Sequence, residues 1–161
     1  MDKATKILVV DNDPDFVKLV RNTLGDSTYQ VIIASDRKSG LEKARRESVD
    51  MVIVGALEPR GDAFKLHKEL RGSPKTATIP MLVVDVRPDE HSRKGWRKDE
   101  GMQMNAEGYI SRPIESDELV ESVERVLERA TRRTPIDFSK ILEQTREILN
   151  RVEKLAASLG K

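Results

Sequence analysis

Four short, unbroken apolar runs and a shorter fifth, each followed by a stretch of helical period, constrain this chain more than any other feature. They are KILVV (6–10), YQVIIA (29–34), DMVIV (50–54), IPMLVV (79–84) and GYISR (108–112). A strand buried on one face alternates apolar with polar residues, whereas a strand buried on both faces has no reason to alternate. Continuous Val, Ile and Leu therefore predict a parallel sheet with helices on each side, an α/β fold. The intervening segments supply the helices. Residues 15–24 carry Phe16, Val17, Leu19, Val20 and Leu24 at helical spacing, and Gly25 ends them. Residues 38–46 place Leu41 and Ala44 on one face, and 62–70 carry Phe64, Leu66 and Leu70. Residues 116–129 carry Leu119, Val120, Val123, Val126 and Leu127, with Ser116 expected as the N-cap. The charged stretch 86–105 contains Gly95 and Gly101 and predicts a loop with a poorly formed helix.

In open sheets of this kind, chemistry gathers outside the carboxyl ends of the strands. The informative residues are therefore Asp11, Asn12, Asp13, Gly55, Asp85 and Arg112. Asp13 precedes Pro14, which suits an N-cap with proline at the first helical position. Several chemistries are excluded. There is no cysteine, which removes disulfides, thiolate metal sites and thiol nucleophiles. The two histidines, His67 and His91, are expected at the surface, and so few make a zinc site improbable. A net charge of +1 gives no bulk attraction to nucleic acid or an anionic membrane. The first apolar run is too short for a signal peptide or a membrane span, so a cytoplasmic protein is expected. Trp96, inside RKGWRK, is expected either to anchor its loop or to contact a partner.

The chain divides into residues 1–131, a linker at 132–136 and an amphipathic helix within 137–161. Ile141, Thr145, Ile148, Val152, Leu155 and Leu159 are spaced alternately four and three apart. That is a heptad seam, on a helix about 34 Å long. It predicts self-association, a homodimer included, or binding of a protein partner. The tail is too short for a helix-turn-helix module and has no basic stripe, so no nucleic-acid partner is expected.

Several phrases together resemble the response-regulator receiver domain over residues 5–130. VVDNDPDF is similar to that family's acidic-pair segment. Pro59 falls where the family has a proline after its phosphoacceptor loop, SPKTATIPMLVV resembles the approach to its fourth strand, and GYISRP resembles its fifth strand and lysine-proline. The resemblance implies a doubly wound, flavodoxin-like five-stranded sheet of order 2-1-3-4-5. It also implies a chemistry: an aspartate at the tip of the third strand accepts a phosphoryl group. An acidic pair helps to hold Mg²⁺, and a Thr or Ser and a Lys bind the phosphoryl oxygens.

Carried over residue by residue, that site is degenerate. Counting back from Pro59 puts Gly55 at the phosphoacceptor position. The acidic pair falls on Asp11 and Asn12, leaving only weak metal candidates and no expected cofactor. The Thr or Ser position is Asp85, whose charge would repel a phosphoryl group. The Lys position is Arg112, and Tyr109 falls at the aromatic switch position. The stretch from Asp85 to Arg112 is longer than in a typical receiver. Arg112 is expected to pair with Asp85 or Asp11, replacing a metal and phosphate arrangement with a fixed ion pair. The leading expectation is a non-enzymatic pseudo-receiver that acts through protein contacts. A working phosphoreceiver using a displaced acid (Asp11, Asp13 or Glu58) and a small-ligand sensor using the pocket vacated over Gly55 stand as alternatives.

Overall fold

A computed structural model describes residues 4–25, 28–132 and 138–159, the side chains of 131, 132, 138–144 and 157–159 excepted. The chain forms two compact units, residues 1–130 and 131–161. In the first, five strands alternate with helices: β1 (Thr5–Val10), α1 (Pro14–Leu24), β2 (Tyr29–Ala34), α2 (Arg37–Arg46), β3 (Met51–Val54), α3 (Asp62–Arg71), β4 (Met81–Asp85), α4 (His91–Lys94), α5 (Lys98–Met102), β5 (Gly108–Ser111) and α6 (Ser116–Arg132). The sheet is parallel, in the order β2-β1-β3-β4-β5. The second unit contains α7 (Phe138–Leu159). The segment 133–136 of the expected linker lies outside the described residues, and α6 continues to Arg132.

The unbroken apolar runs form the central strands for the reason their composition implies. Ile7, Leu8, Val9 and Val10 are all fully buried, and so is every residue of β3. Leu8, Val10, Val52, Val54 and Val83 face one core, closed by Ala44 of α2 and Leu66 and Leu70 of α3. Ile7, Val9, Ile53 and Val84 face the other, closed by Phe16 and Val20 of α1 and Leu119 and Val123 of α6. Each such side chain contributes about 1.5–3 kcal/mol when fully buried, so the two apolar layers clamp the sheet from both sides.

Register then places the strand ends. Val10 lies beside Val54 in the β1–β3 pairing, which brings Asp11 next to Gly55. Asp85 lies beside Ser111 in the β4–β5 pairing, which brings Arg112 to the same rim. A slip of one residue would turn the apolar sets of both faces and scatter these groups.

The structure corrects three expectations and decides between the two readings of Trp96. Residues 86–105 contain two short helices, α4 and α5, and Trp96 between them is buried in the core. This is the anchoring role of the two considered for Trp96. Its ring meets Phe64 and His67 edge to face, with centroids 5.6 and 5.7 Å away. His67 is not at the surface: it is 2% exposed, and its Nε2 accepts a hydrogen bond from the Asn105 amide at 2.9 Å. Burial holds its imidazole below the usual histidine range. Its position was legible, because Ala63, Leu66, His67 and Leu70 share one helical face. Ser116 is the first residue of α6 and not its cap, and its hydroxyl accepts from Thr23 at 3.3 Å.

Candidate functional site

The carboxyl rim of the sheet holds two clusters, one on each side of β3 and β4. The first is built on Asp11, directly after β1. Asp11 is 1% exposed. Its Oδ1 accepts from the Asp13 amide at 2.7 Å, and its Oδ2 accepts from the Ala56 amide at 2.8 Å and from Arg112 Nη2. Arg112 follows β5, and its amide donates to the Asp85 carbonyl at 3.1 Å. Its guanidinium reaches back across the sheet. Nη1 lies 3.3 Å from Asp13 Oδ2, Nη2 lies 3.4 Å from the Val84 carbonyl, and the group sits 4.2 Å from the centre of the Phe16 ring. Such stacking adds a cation–π attraction that grows as water is excluded. Asp13 has two tasks. Its Oδ1 caps α1 by accepting from the Asp15 amide at 3.0 Å, as expected, and its Oδ2 faces Arg112.

Gly55 is explained by this cluster. A Cβ added there would overlap Asp11 Oδ2 and stand 2.6 Å from Asp11 Cγ and 2.7 Å from Arg112 Nη2. The volume a side chain at position 55 would need is filled by the Asp11–Arg112 pair. The volume directly over Gly55 is therefore filled, and the space bordering Gly55, Asp85 and Trp96 measures about 10 Å³. A larger cleft of about 630 Å³ opens beside it on the same rim, lined by Asn12, Asp13, Phe16, Glu58, Arg60 and Arg112 among others.

Of the two partners considered for Arg112, the structure selects Asp11, with Asp13 as a second contact. Burial pushes the Asp11 carboxyl above the ordinary carboxylate value, and the Arg112 charge and the two amides only partly oppose it. A divalent cation does not fit these residues. Both Asp11 oxygens already accept N–H donors, a guanidinium stands beside them, and Gly55 offers no side-chain ligand. Asn12 is exposed and brings no charge. Among the described residues, no group of three acidic or histidine side chains is placed to hold a metal.

The second cluster centres on Asp85, which is 2% exposed. Asp85 does not pair with Arg112. Its Oδ1 accepts from the Val86 amide at 2.8 Å, and the Trp96 amide approaches both oxygens at 3.4 Å. The Tyr109 hydroxyl donates to Oδ2 at 2.5 Å, and His91 Nε2 stands 3.4 Å from the same oxygen. Burial and the Asp85 carboxylate raise the Tyr109 hydroxyl to about 12. Tyr109 is nevertheless 43% exposed, so its ring remains available on the surface. Arg60 fixes the adjoining segment, donating to the carbonyls of Gly95 at 2.9 Å, Ser92 at 2.8 Å and His91 at 3.3 Å. Sequence reasoning missed the roles of Arg60, which carries no motif, and of Phe16, which reads as an apolar helix position: both arise from segments distant in the chain that return to meet them.

The rim therefore brings together Asp11, Gly55 and Arg112 as one group and Asp85 and Tyr109 as another. The expected seam residues lie in the other unit. Ile148, Val152 and Leu155 of α7 are exposed, as is Leu149, while the side chains of Ile141 and Leu159 lie outside the described residues. No helix among the described residues is long and apolar enough to cross a membrane.

A family profile described as the response regulator receiver domain matches residues 7–124. Among curated proteins, the chain is 25% identical to the response regulator ArlR of Staphylococcus saprophyticus over 86% of this chain and 59% of that one. It is 29% identical to the alkaline phosphatase synthesis transcriptional regulatory protein PhoP of Bacillus subtilis, over 89% of this chain and 57% of that one. It thus spans little more than half the length of these two relatives. It is 27% identical to protein PilH of Pseudomonas aeruginosa, over 76% of this chain and 97% of PilH. Among solved structures, the chemotaxis response regulator CheY4 of Vibrio cholerae aligns at a TM-score of 0.65 and 26% identity, over 77% of this chain and 99% of CheY4. A CheY-like receiver domain protein of Methanospirillum hungatei shares the fold at a TM-score of 0.67, with 20% identity over 81% of this chain and 99% of that one.

Proposed function

The chain belongs to the response regulator receiver domain family, and from that membership we infer a non-enzymatic pseudo-receiver, a signalling module that acts through protein contacts without aspartyl phosphorylation. The observation that carries this reading is the packing at Gly55. Where the resemblance places a phosphoacceptor, there is no side chain, and its volume holds the Asp11 carboxylate and the Arg112 guanidinium. Phosphoryl transfer needs a free carboxylate oxygen aligned with the incoming phosphorus and a cation to neutralise the phosphoryl oxygens. Here the cation is spent on Asp11, and where the resemblance places a Thr or Ser the chain carries a second carboxylate, Asp85, whose oxygens are engaged by Val86, Trp96 and Tyr109.

The same geometry favours a rim held in one arrangement. Arg112 ties the end of β5 to the loop after β1, and Tyr109 ties β5 to the end of β4. A phosphorylation-driven switch works by changing the balance between two arrangements, and these contacts persist without any added group. The output then falls to surfaces, in a soluble, cytoplasmic protein with protein partners. PilH, matched over nearly its whole length, is a relative that consists of little more than this unit.

The test is an intact-mass measurement after incubation with acetyl phosphate and Mg²⁺, with a phosphorylatable receiver as control. The expected result is no adduct on this chain while the control is labelled. A single phosphoryl adduct would overturn the reading, and mapping it to Asp13 or Glu58 would establish a displaced acceptor.

A further inference from the structure

The core beneath α4 and α5 holds a titratable group that the receiver reading does not use. His67 of α3 is 2% exposed. Its Nε2 accepts from the Asn105 amide at 2.9 Å, and its Nδ1 is buried with no hydrogen-bond partner among the described residues. The ring stacks on Phe64 with centroids 6.0 Å apart and meets Trp96 edge to face at 5.7 Å. We propose that His67 is an acid-operated latch. Neutral, it holds Trp96 and α5 against α3; protonated, it releases them while the sheet stays folded. This goes beyond the receiver reading and does not depend on it.

The hydrogen bond fixes the tautomer. A neutral imidazole has one acceptor nitrogen and one donor. Nε2 accepts, so Nδ1 carries the proton. A second proton would have to sit on Nε2, where the Asn105 N–H already points. Two N–H groups would then face each other, and neither nitrogen of the cation would have an acceptor. A buried charge without hydrogen bonds is far costlier than the neutral ring. The charged groups around the ring do not offset this. Arg71 and Lys68 of α3 are cations, and Glu107, before β5, is already held by Arg71 Nη2 at 2.8 Å. Glu100, the buried acid of α5, accepts from the Arg97 amide at 2.7 Å. Trp96, Gln103 and Asn105 bring no charge. The cation is therefore driven outward, into the groove of about 300 Å³ that His67 lines with Lys68, Arg71, Gln103 and Asn105.

The release stays local because arginines pin both ends of the segment. Arg60 donates to the carbonyls of His91, Ser92 and Gly95, and Arg71 Nε donates to that of Asn105 at 2.8 Å. A guanidinium does not lose its charge, so neither pin responds to acid. Between the pins, the Trp96 ring rests against Phe64 and His67. The hydrogen bond and ring contacts of His67 involve no strand residue. Linkage gives the sign. Once released, the ring binds a proton at about 6.5, whereas the closed ring binds one only at lower pH. Acid therefore favours the open form, and the ratio of open to closed rises by up to about tenfold per pH unit below about 6.5.

Trp96 is the sole tryptophan of the chain, so its emission reads the latch directly. The experiment is a fluorescence titration of the full chain from about pH 8 to about pH 5, the interval in which an ordinary histidine changes charge, with far-UV circular dichroism in parallel. The expected result is a red shift with a one-proton midpoint below about 6.5 and no cooperative loss of the far-UV signal. His67→Gln keeps an acceptor for the Asn105 amide and cannot titrate, so its emission should not move with pH. His91→Gln, which removes the other histidine, should shift as the parent protein does. An NMR titration of the two imidazoles in the parent protein, assigned with His91→Gln, leaves the core unaltered. Its His67 midpoint should coincide with the red shift, and that coincidence decides the matter if His67→Gln does not fold. Constant emission over the interval overturns the proposal. So does a red shift that persists in His67→Gln or vanishes in His91→Gln, or a His67 midpoint that departs from the red shift. A red shift that arrives together with far-UV loss would be global acid unfolding, and also overturns it.

Discussion

The two clusters on the rim use the same chemistry, a buried carboxylate with several donors, and arrive at different degrees of closure. Around Asp11 every partner is inside the protein: two amides and a guanidinium, itself only 9% exposed and stacked on Phe16. Around Asp85 the backbone donors are buried, but the side-chain partners Tyr109 and His91 are about half exposed. A closed charge pair loses heavily when one partner is removed, because the other charge stays in a poor solvent. A cluster that opens to solvent loses less, because water can replace the missing partner. The first cluster should therefore behave as structure, and the second as an adjustable surface.

The largest test of that contrast is Arg112→Ala. It leaves Asp11 buried and unpaired, and should lower stability by about 3–5 kcal/mol in urea unfolding. Replacing both partners, Asp11→Ala with Arg112→Met, should recover most of the loss, since buried pairs are often matched by apolar residues of similar volume. A loss below about 1 kcal/mol for Arg112→Ala would mean the pair is exchanging with water and is not closed.

Gly55→Ala comes next. Its Cβ has to displace the Asp11 carboxylate or Arg112, and overpacking of this kind costs about 1–3 kcal/mol. Stability equal to the parent protein would show that the pair moves easily aside. Gly55→Asp alone should remain unlabelled by acetyl phosphate, because adding a carboxylate does not vacate the space.

Asp85→Ala should cost about 1–2 kcal/mol, since it leaves the Val86 and Trp96 amides short of an acceptor. It should also move the titration of Tyr109, followed by phenolate absorbance in a Tyr29→Phe background. In the parent protein Tyr109 ionises at about 12, and without Asp85 the midpoint should fall toward 10. The sign for stability follows. Between about 10 and 12 the unfolded tyrosine has lost its proton while the folded one keeps it, so stability falls as pH rises through that window. An unchanged midpoint in Asp85→Ala would show that burial alone sets it.

His91→Ala is the smallest effect, within about 0.5 kcal/mol, because the imidazole is half exposed and 3.4 Å from Asp85. A larger loss would mean that the second cluster is as closed as the first.

The strand runs 29–34 and 6–10 match β2 and β1 to within a residue, and 51–54 of the third run is β3. They were legible because unbroken Val, Ile and Leu have one physical use in a chain of this size. The site was legible in part. The placing of Gly55 and Arg112 on one rim follows from strand order. The spatial coincidence of the missing side chain with the Asp11 carboxylate does not, nor does the choice of Asp11 over Asp85. His67 was misplaced although its helical face was readable, because a histidine's type suggests the surface more strongly than its position suggests the core.

What the sequence by itself determined is the parallel α/β architecture, the heptad spacing of α7 and the chemical inventory of the rim, since these depend on the period and type of residues close in the chain. What only the tertiary structure decided is which charges meet. Asp11 and Arg112 are 101 positions apart, and Arg60 finds its acceptors 31 to 35 positions away. Their pairing is set by strand register and by the fold of the loop that buries Trp96. Electrostatic contacts of that kind depend on distance to within an ångström and on the exclusion of water, and neither quantity is written in local order along the chain.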